Sequence, residues 1–344
     1  MSCRPRSASK AEGCIVVRDM LGRKVEIPKQ VKKIVGIRAG ALRLLLYMGA
    51  HEMIAGIEEI ERRGERPYMA AYPELRNLPL IGPSMGGDAE LILKAGPELI
   101  FMSYTTKEDA DRLQRKTGIP VLAIECPEIG SERARLYTSL QFIGKVLDKE
   151  KRADALITYL GHTIEELNER THGISATPSV YVGGVSYSGL HGINSTHPYY
   201  PPFIFVNASN VAASIDKRLI SHIKGTYIDV EQLLIWNPDY LFIDASGSRL
   251  VHKERTENPA FFSMLEAVKN DRLFYLLPYN NYATNYEYVL INAWYAGKIL
   301  YPEKFPDIDM NEKTDEICMR FLGKKFLNDR SAVEFGFMPE VLSE

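Results

Sequence analysis

Hydrophobic and polar positions alternate along this chain in a way that divides it into short strands and amphipathic helices. Val16 to Pro28 (VVRDMLGRKVEIP) sets two β-rich stretches around a Leu21-Gly22 turn and predicts a hairpin. Lys33 to Ile37 and Ile54 to Ile57 read as short buried strands, with a helix over Ala41 to Tyr47 that Gly49 stops. Glu58 to Pro79 is polar, contains Pro67, Pro73 and Pro79, and reads as an extended surface loop. Strands and helices then alternate: helix Asp88 to Ala95, strand Leu99 to Ser103, helix Lys107 to Thr117, strand Val121 to Glu125. That alternation implies βαβ units and a parallel sheet.

The middle of the chain changes character. Ser131 to Leu147 and Glu150 to Arg170 contain no proline. Ala153, Leu156, Ile157, Leu160, Ile164 and Leu167 fall at offsets 0, 3, 4, 7, 11 and 14, which is one helical stripe. A helix of that length spans about 30 Å, the width of a small domain. The α/β pattern then restarts with strand Val180 to Val185, helices Val206 to Ala213 and Val230 to Trp236, strand Tyr240 to Asp244, helix Pro259 to Val268 and strand Leu273 to Leu277. Helices over Glu287 to Leu300 and Thr314 to Phe326 close the chain. The expected fold is α/β: two Rossmann-like lobes with mainly parallel sheets, joined by one long rigid helix, with a helical C-terminal tail. The expected boundaries are 14–148, 149–172, 173–301 and 302–344.

One unit occurs twice. Asp88-Ala89-Glu90-Leu91-Ile92-Leu93-Lys94-Ala95-Gly96-Pro97-Glu98-Leu99-Ile100-Phe101 aligns with Asp229-Val230-Glu231-Gln232-Leu233-Leu234-Ile235-Trp236-Asn237-Pro238-Asp239-Tyr240-Leu241-Phe242. In each copy an Asp can cap a helix, Gly or Asn followed by Pro ends it, and an apolar strand follows. Glu90 and Glu231 occupy equivalent first-turn positions. A carboxylate there complements the helix dipole by about 0.3–1 kcal/mol, but the match between copies also suits two like-charged handles for a two-subunit partner.

Composition narrows the function. Of 344 residues, 45% are hydrophobic and 25% charged, with a formal net charge of −2; a sizeable core is possible and nucleic acid is not an expected partner. The longest apolar stretch, Ala39 to Ala50, is broken by Arg43 and too short to span a bilayer. Met1 to Gly13 is polar, so the chain is either cytosolic or lacks its leader. Cys3, Cys14, Cys126 and Cys318 form no CxxC pair, which signals neither a zinc knuckle nor a disulfide framework. They read as isolated thiols, with Cys3 or Cys14 as an alternative lipid-anchor cysteine. Gly184-Val185-Ser186-Tyr187-Ser188-Gly189 approaches a nucleophile elbow but has the wrong spacing, and no phosphate-binding glycine loop follows a strand. No enzyme activity is expected.

Several segments together resemble the periplasmic binding-protein family that serves importers of iron siderophores, haem and cobalamin. They are Asp19-Met20-Leu21-Gly22-Arg23 with Val25 and Ile27-Pro28, Lys33-Ile34-Val35, Leu44 to Ala50, Leu80-Ile81-Gly82, Pro97 to Ile100, Thr117 to Val121, and Pro238-Asp239. The resemblance covers roughly Val16 to Leu300. It implies an exported, periplasmic or membrane-associated protein whose leader is absent from this chain, a solute held between the lobes, and docking of Glu90 and Glu231 onto arginines of an ABC permease dimer. The protein is expected to be monomeric and to need no cofactor.

Ligands of open α/β sheets gather beyond the carboxyl ends of the strands. Those positions supply Arg38, Arg43, Arg62, Tyr68 and Tyr104 in the first half, and Tyr187, His191, His197, Tyr199, Arg249, Tyr279, Asn280 and Tyr282 in the second. Arginine forks suit carboxylate, catecholate or hydroxamate oxygens, and tyrosine adds a flat face with a polar tip. The expected solute is an iron(III) chelate; cobalamin or another metal chelate is the alternative, and a cytosolic chelate-storage role a third. His191 and His197, six residues apart, do not have the usual spacing of a metal pair, and no metal-ligating set is expected.

Overall fold

The computed structural model describes residues 13–64, 66–187, 189–220 and 225–325. Cys3, one of the two cysteines given above as an alternative lipid anchor, lies outside them, as does the end of the expected last helix at Phe326.

By its contacts the chain forms two compact units, Met1–Pro127 with Ala134–Asp154, and Glu128–Arg133 with Ala155–Glu344. In the first unit, β1 (Cys14–Arg18) and β2 (Lys24–Pro28) pair antiparallel, Arg18 opposite Lys24, as the hairpin pattern predicts. The turn is held by the DMLGR segment itself. Asp19 accepts from the backbone N–H groups of Leu21, Arg23 and Ala123. Arg23 bonds Asp19, Asp111, Gln114 and the Val121 carbonyl. These contacts tie the hairpin to the sheet.

That sheet is parallel, in the order β3 (Ile34–Ile37), β4 (Leu99–Met102), β5 (Val121–Ala123). Between its first two strands come α1 (Ala41–Tyr47), α2 (Glu59–Arg62), α3 (Pro67–Ala71) and α4 (Ala89–Ala95), and α5 (Lys107–Thr117) links β4 to β5. Gly36 permits the tight β3–α1 connection, since a Cβ there would sit 2.6 Å from the Leu42 nitrogen. Ile54 to Ile57 does not form a strand; it makes single parallel bridges, Ile34 to Ile54 and Ile57 to Leu80. Glu58 to Pro79 is not an extended loop either. Pro67 and Pro73 stand at the first positions of short helices, where the missing N–H costs nothing. Tyr68, Met69, Ala71, Tyr72 and Leu75 of that segment are buried.

Helices α6 (Arg133–Val146) and α7 (Glu150–Thr171) follow; α7 is continuous over 22 residues, and the division between units falls within it after Asp154. Of the predicted stripe, Ala153, Leu156, Leu160, Ile164 and Leu167 are buried, and Ile157 is partly exposed.

The second unit contains β6 (Ser179–Gly183), β7 (Ser195–Thr196), α8 (Pro201–Phe205), β8 (Ser209–Asn210) and β9 (Thr226–Tyr227). After them come α9 (Val230–Trp236), β10 (Tyr240–Asp244), α10 (Ser248–Glu257), α11 (Pro259–Met264), α12 (Glu266–Lys269), β11 (Leu273–Leu276), α13 (Tyr286–Leu300) and α14 (Met310–Leu322). Its sheet is parallel in the order β11-β10-β6-β8, with β7 and β9 paired separately and antiparallel. Val206 to Ala213 is not a helix: β8 and a 3₁₀ turn (Val211–Ser214) occupy it, and the preceding Pro201 starts a helix earlier. The predicted helix Pro259 to Val268 breaks at Leu265, which is extended between α11 and α12. Among the described residues no helix is long and apolar enough to cross a membrane.

The duplicated segment folds the same way in both units. Ile92 of α4 and Leu233 of α9 are the single fully buried side chains of their helices. Gly96 and Asn237 close them in the left-handed conformation. Asp88 caps α4 through the N–H groups of Glu90 and Leu91. Asp229 stands at the equivalent position without a side-chain capping bond.

Candidate ligand-binding faces

All strands of each main sheet are parallel, so their carboxyl ends collect on one edge of each unit. In the first unit Arg38 follows β3 and Tyr104 follows β4 after Ser103. Both adopt positive φ, 72° and 43°, a conformation that is uncommon for non-glycine residues and that clusters where function demands it. Glu58, buried at the start of the next segment, accepts from the Arg38 backbone N–H at 2.9 Å and from Gly86 at 3.3 Å. The Arg38 guanidinium donates to the Tyr104 carbonyl at 2.5 Å and to Asp109 Oδ2 at 3.1 Å, and the hydrogen bond from Arg38 is the main cause holding the Asp109 carboxyl below its ordinary range. The Tyr104 hydroxyl donates to the Cys126 carbonyl at 3.1 Å, while its ring remains largely exposed.

Arg43 and Tyr68 are fully buried. Every residue of α1 is buried, so an arginine one turn into it points inward. Its guanidinium lies 4.9 Å from the centre of the Tyr68 ring. The Tyr68 hydroxyl donates to Glu61 Oε2 at 2.8 Å, and Arg66 stands 3.7 Å from the same carboxylate. Burial pushes both the Tyr68 phenol and the Glu61 carboxyl up. This is an internal charge cluster. Arg62 is exposed and donates to the Leu78 carbonyl at 2.9 Å.

The second unit brings more of the expected residues together. His197 is buried, with its Nε2 2.5 Å from Glu128 Oε1. The Tyr279 hydroxyl donates to that same oxygen at 2.8 Å. Aromatic rings surround the pair. Tyr187 stacks on His197 at 6.4 Å, and Tyr279 meets it edge-on at 5.4 Å. Tyr200 lies 5.3 Å from Tyr279. The Tyr187 hydroxyl donates to the Thr196 carbonyl, and Asn280 Nδ2 to the Ser186 carbonyl at 3.1 Å. Tyr282, partly buried, has φ 57°. His191 pairs with the Tyr227 hydroxyl at 2.8 Å, and Tyr199 is partly exposed. Arg249 is not in a loop after β10; it is an exposed residue in the first turn of α10, a helix that the sequence pattern missed.

Two acids escaped the sequence reading. Asp244 ends β10 fully buried. It accepts from the Ser246 N–H (2.9 Å), the Ser246 hydroxyl (2.5 Å) and the Tyr279 N–H (2.7 Å). Burial, partly offset by those bonds, raises its pKa from 3.8 to about 6. A charged residue closing an apolar strand run was a readable signal. Glu128, in an irregular segment, gave none. Among the described residues no three His, Cys, Asp or Glu side chains group to hold a metal ion.

Each of the two α/β units thus carries polar and tyrosine side chains at the carboxyl edge of its parallel sheet. The chain belongs to the periplasmic binding-protein family, whose description matches residues 34–279, and is the solute-binding component of an ABC importer. It is 24% identical to the molybdate-binding protein MolA of Haemophilus influenzae, over 92% of this chain and 93% of that one. It is 21% identical to the petrobactin-binding protein YclQ of Bacillus subtilis, over 78% and 82% of the two chains. A periplasmic solute-binding protein from Veillonella parvula has the same fold, with TM-score 0.73 and 18% identity over 94% of this chain and 97% of that one. So does MolA bound to molybdate, with TM-score 0.69 and 21% identity over 91% and 99%.

Proposed function

We propose that this chain is an extracytoplasmic receptor that captures an anionic, oxygen-rich iron(III) chelate of the siderophore kind and passes it, chemically unchanged, to a membrane permease. The observation that carries the reading is the chemistry of the strand ends. Arg38, Tyr104 and Tyr282 stand there on left-handed backbone, a strain of about 1–3 kcal/mol per residue. Guanidinium and phenol groups complement chelate oxygens. The petrobactin-binding relative supports a siderophore. The molybdate-binding relative, aligned over more of the chain, favours a second reading, a small metal oxyanion. Calorimetric titration of the purified protein with ferric catecholates, ferric hydroxamates, corrinoids and molybdate separates these. A ferric chelate bound most tightly is the expected result, and tight binding of a corrinoid alone would remove the anionic reading.

Docking is assigned to Glu90 and Glu231, both exposed in the first turns of α4 and α9. Reversing both charges to arginine is expected to abolish uptake in cells while leaving solute affinity intact. Unimpaired uptake by the double variant would refute this role.

A further inference from the structure

In the second unit two hydrogen-bond donors converge on one oxygen. His197 Nε2 lies 2.5 Å and the Tyr279 hydroxyl 2.8 Å from Glu128 Oε1. Both donor side chains are almost entirely buried, His197 at 3% and Tyr279 at 2% exposure. Each is fixed by its surroundings. His197 packs between the Tyr187 and Tyr279 rings, and the Tyr279 backbone N–H is anchored on Asp244 at 2.7 Å. Paired donors held rigidly at one point form a cradle for an anionic oxygen. The occupant is a carboxylate oxygen of the chain itself. Glu128 opens the segment Glu128–Arg133, which groups with this unit although the residues on both sides of it group with the other. It precedes α6 and belongs to no helix or strand.

We infer that Glu128 is an internal stand-in for a ligand oxygen: its carboxylate fills the His197–Tyr279 cradle, and an anionic solute oxygen takes the cradle by displacing it. The inference rests on the anionic reading given above and adds a specificity rule to it. A solute must offer an oxygen at least as strongly accepting as a carboxylate, as a molybdate or catecholate oxygen does; a neutral amide or hydroxyl competes poorly. It also makes Glu128 a residue that weakens binding, so its loss improves affinity.

Calorimetry with sodium molybdate and with a ferric catecholate tests this on the wild type and on Glu128→Ala, Glu128→Gln and Glu125→Gln, with folding checked by circular dichroism. Glu125 lies three residues earlier and pairs instead with Arg135 at 2.9 Å, so its variant removes a carboxylate charge nearby without touching the cradle. Glu128→Ala is expected to tighten at least one probe about tenfold, Glu128→Gln by less, and Glu125→Gln not at all. Adding Tyr279→Phe to Glu128→Ala is expected to cancel the gain. Unchanged or weaker binding by both folded Glu128 variants overturns the inference, as does an equal gain in Glu125→Gln. A wild type that binds neither probe, with variants that do not either, overturns the anionic reading itself and the inference with it.

Discussion

Asp244 offers a test in which the sign of the effect is set by burial. In the unfolded chain its carboxyl ionises near 3.8, and in the native state near 6, with desolvation as the leading cause. Between those values the native state holds a proton that the unfolded chain has released. Stability therefore falls as pH rises through this window and is constant above it. The gap of about two pH units, at ~1.4 kcal/mol each, is about 3 kcal/mol. Asp244→Asn removes the titration. The asparagine oxygen can still accept from the Ser246 N–H and hydroxyl, but its amide then faces the Tyr279 N–H, donor against donor. That mismatch costs about 1–3 kcal/mol and does not vary with pH. The two proteins therefore differ in slope as well as in level. Both tryptophans, Trp236 and Trp294, lie in the second unit, so fluorescence-monitored urea unfolding reports that unit selectively. Between pH 4 and pH 7, which takes in most of that window, the wild type is expected to lose about 2 kcal/mol relative to Asp244→Asn, since other groups titrate alike in both and cancel. Parallel stability profiles across that range, or a wild type that gains on the variant, would refute the argument from burial.

Other outcomes follow from the same structure. Arg38→Ala is expected to weaken anionic-solute binding tenfold or more through loss of the guanidinium and relaxation of the Tyr104 turn; unchanged affinity in calorimetry would remove Arg38 from the binding face. Leu160→Ala in α7, at a fully buried position, is expected to cost about 2–5 kcal/mol by urea unfolding. Burial pushes the Cys126 thiol up to about 12 and Cys14 is exposed. Native alkylation at pH 8 read by mass spectrometry is therefore expected to label Cys14 and spare Cys126; equal rates would contradict that burial.

Local chemistry made much of this protein readable from its residue order. The hairpin, α1, α5, α9 and β10 follow from apolar periodicity and from glycine, asparagine and proline stops. These signals act over a few residues, and the tertiary structure did not overrule them. The duplicated Asp-to-Phe segment announced two similar units for the same reason, because each copy carries its own start, apolar face and stop. The burial of Tyr68, Met69, Ala71, Tyr72 and Leu75 could not be read, since a proline that opens a short helix and one that breaks a loop are the same residue until neighbours supply an apolar surface. The direction of Arg43 depended on α1 being buried on every side, a property of what surrounds the helix. Glu128 and Tyr279 are 151 positions apart, and their meeting with His197 on one carboxylate oxygen is a product of chain path alone. Periodicity sets which way a side chain faces within its own element; only long-range packing decides which distant groups it faces there.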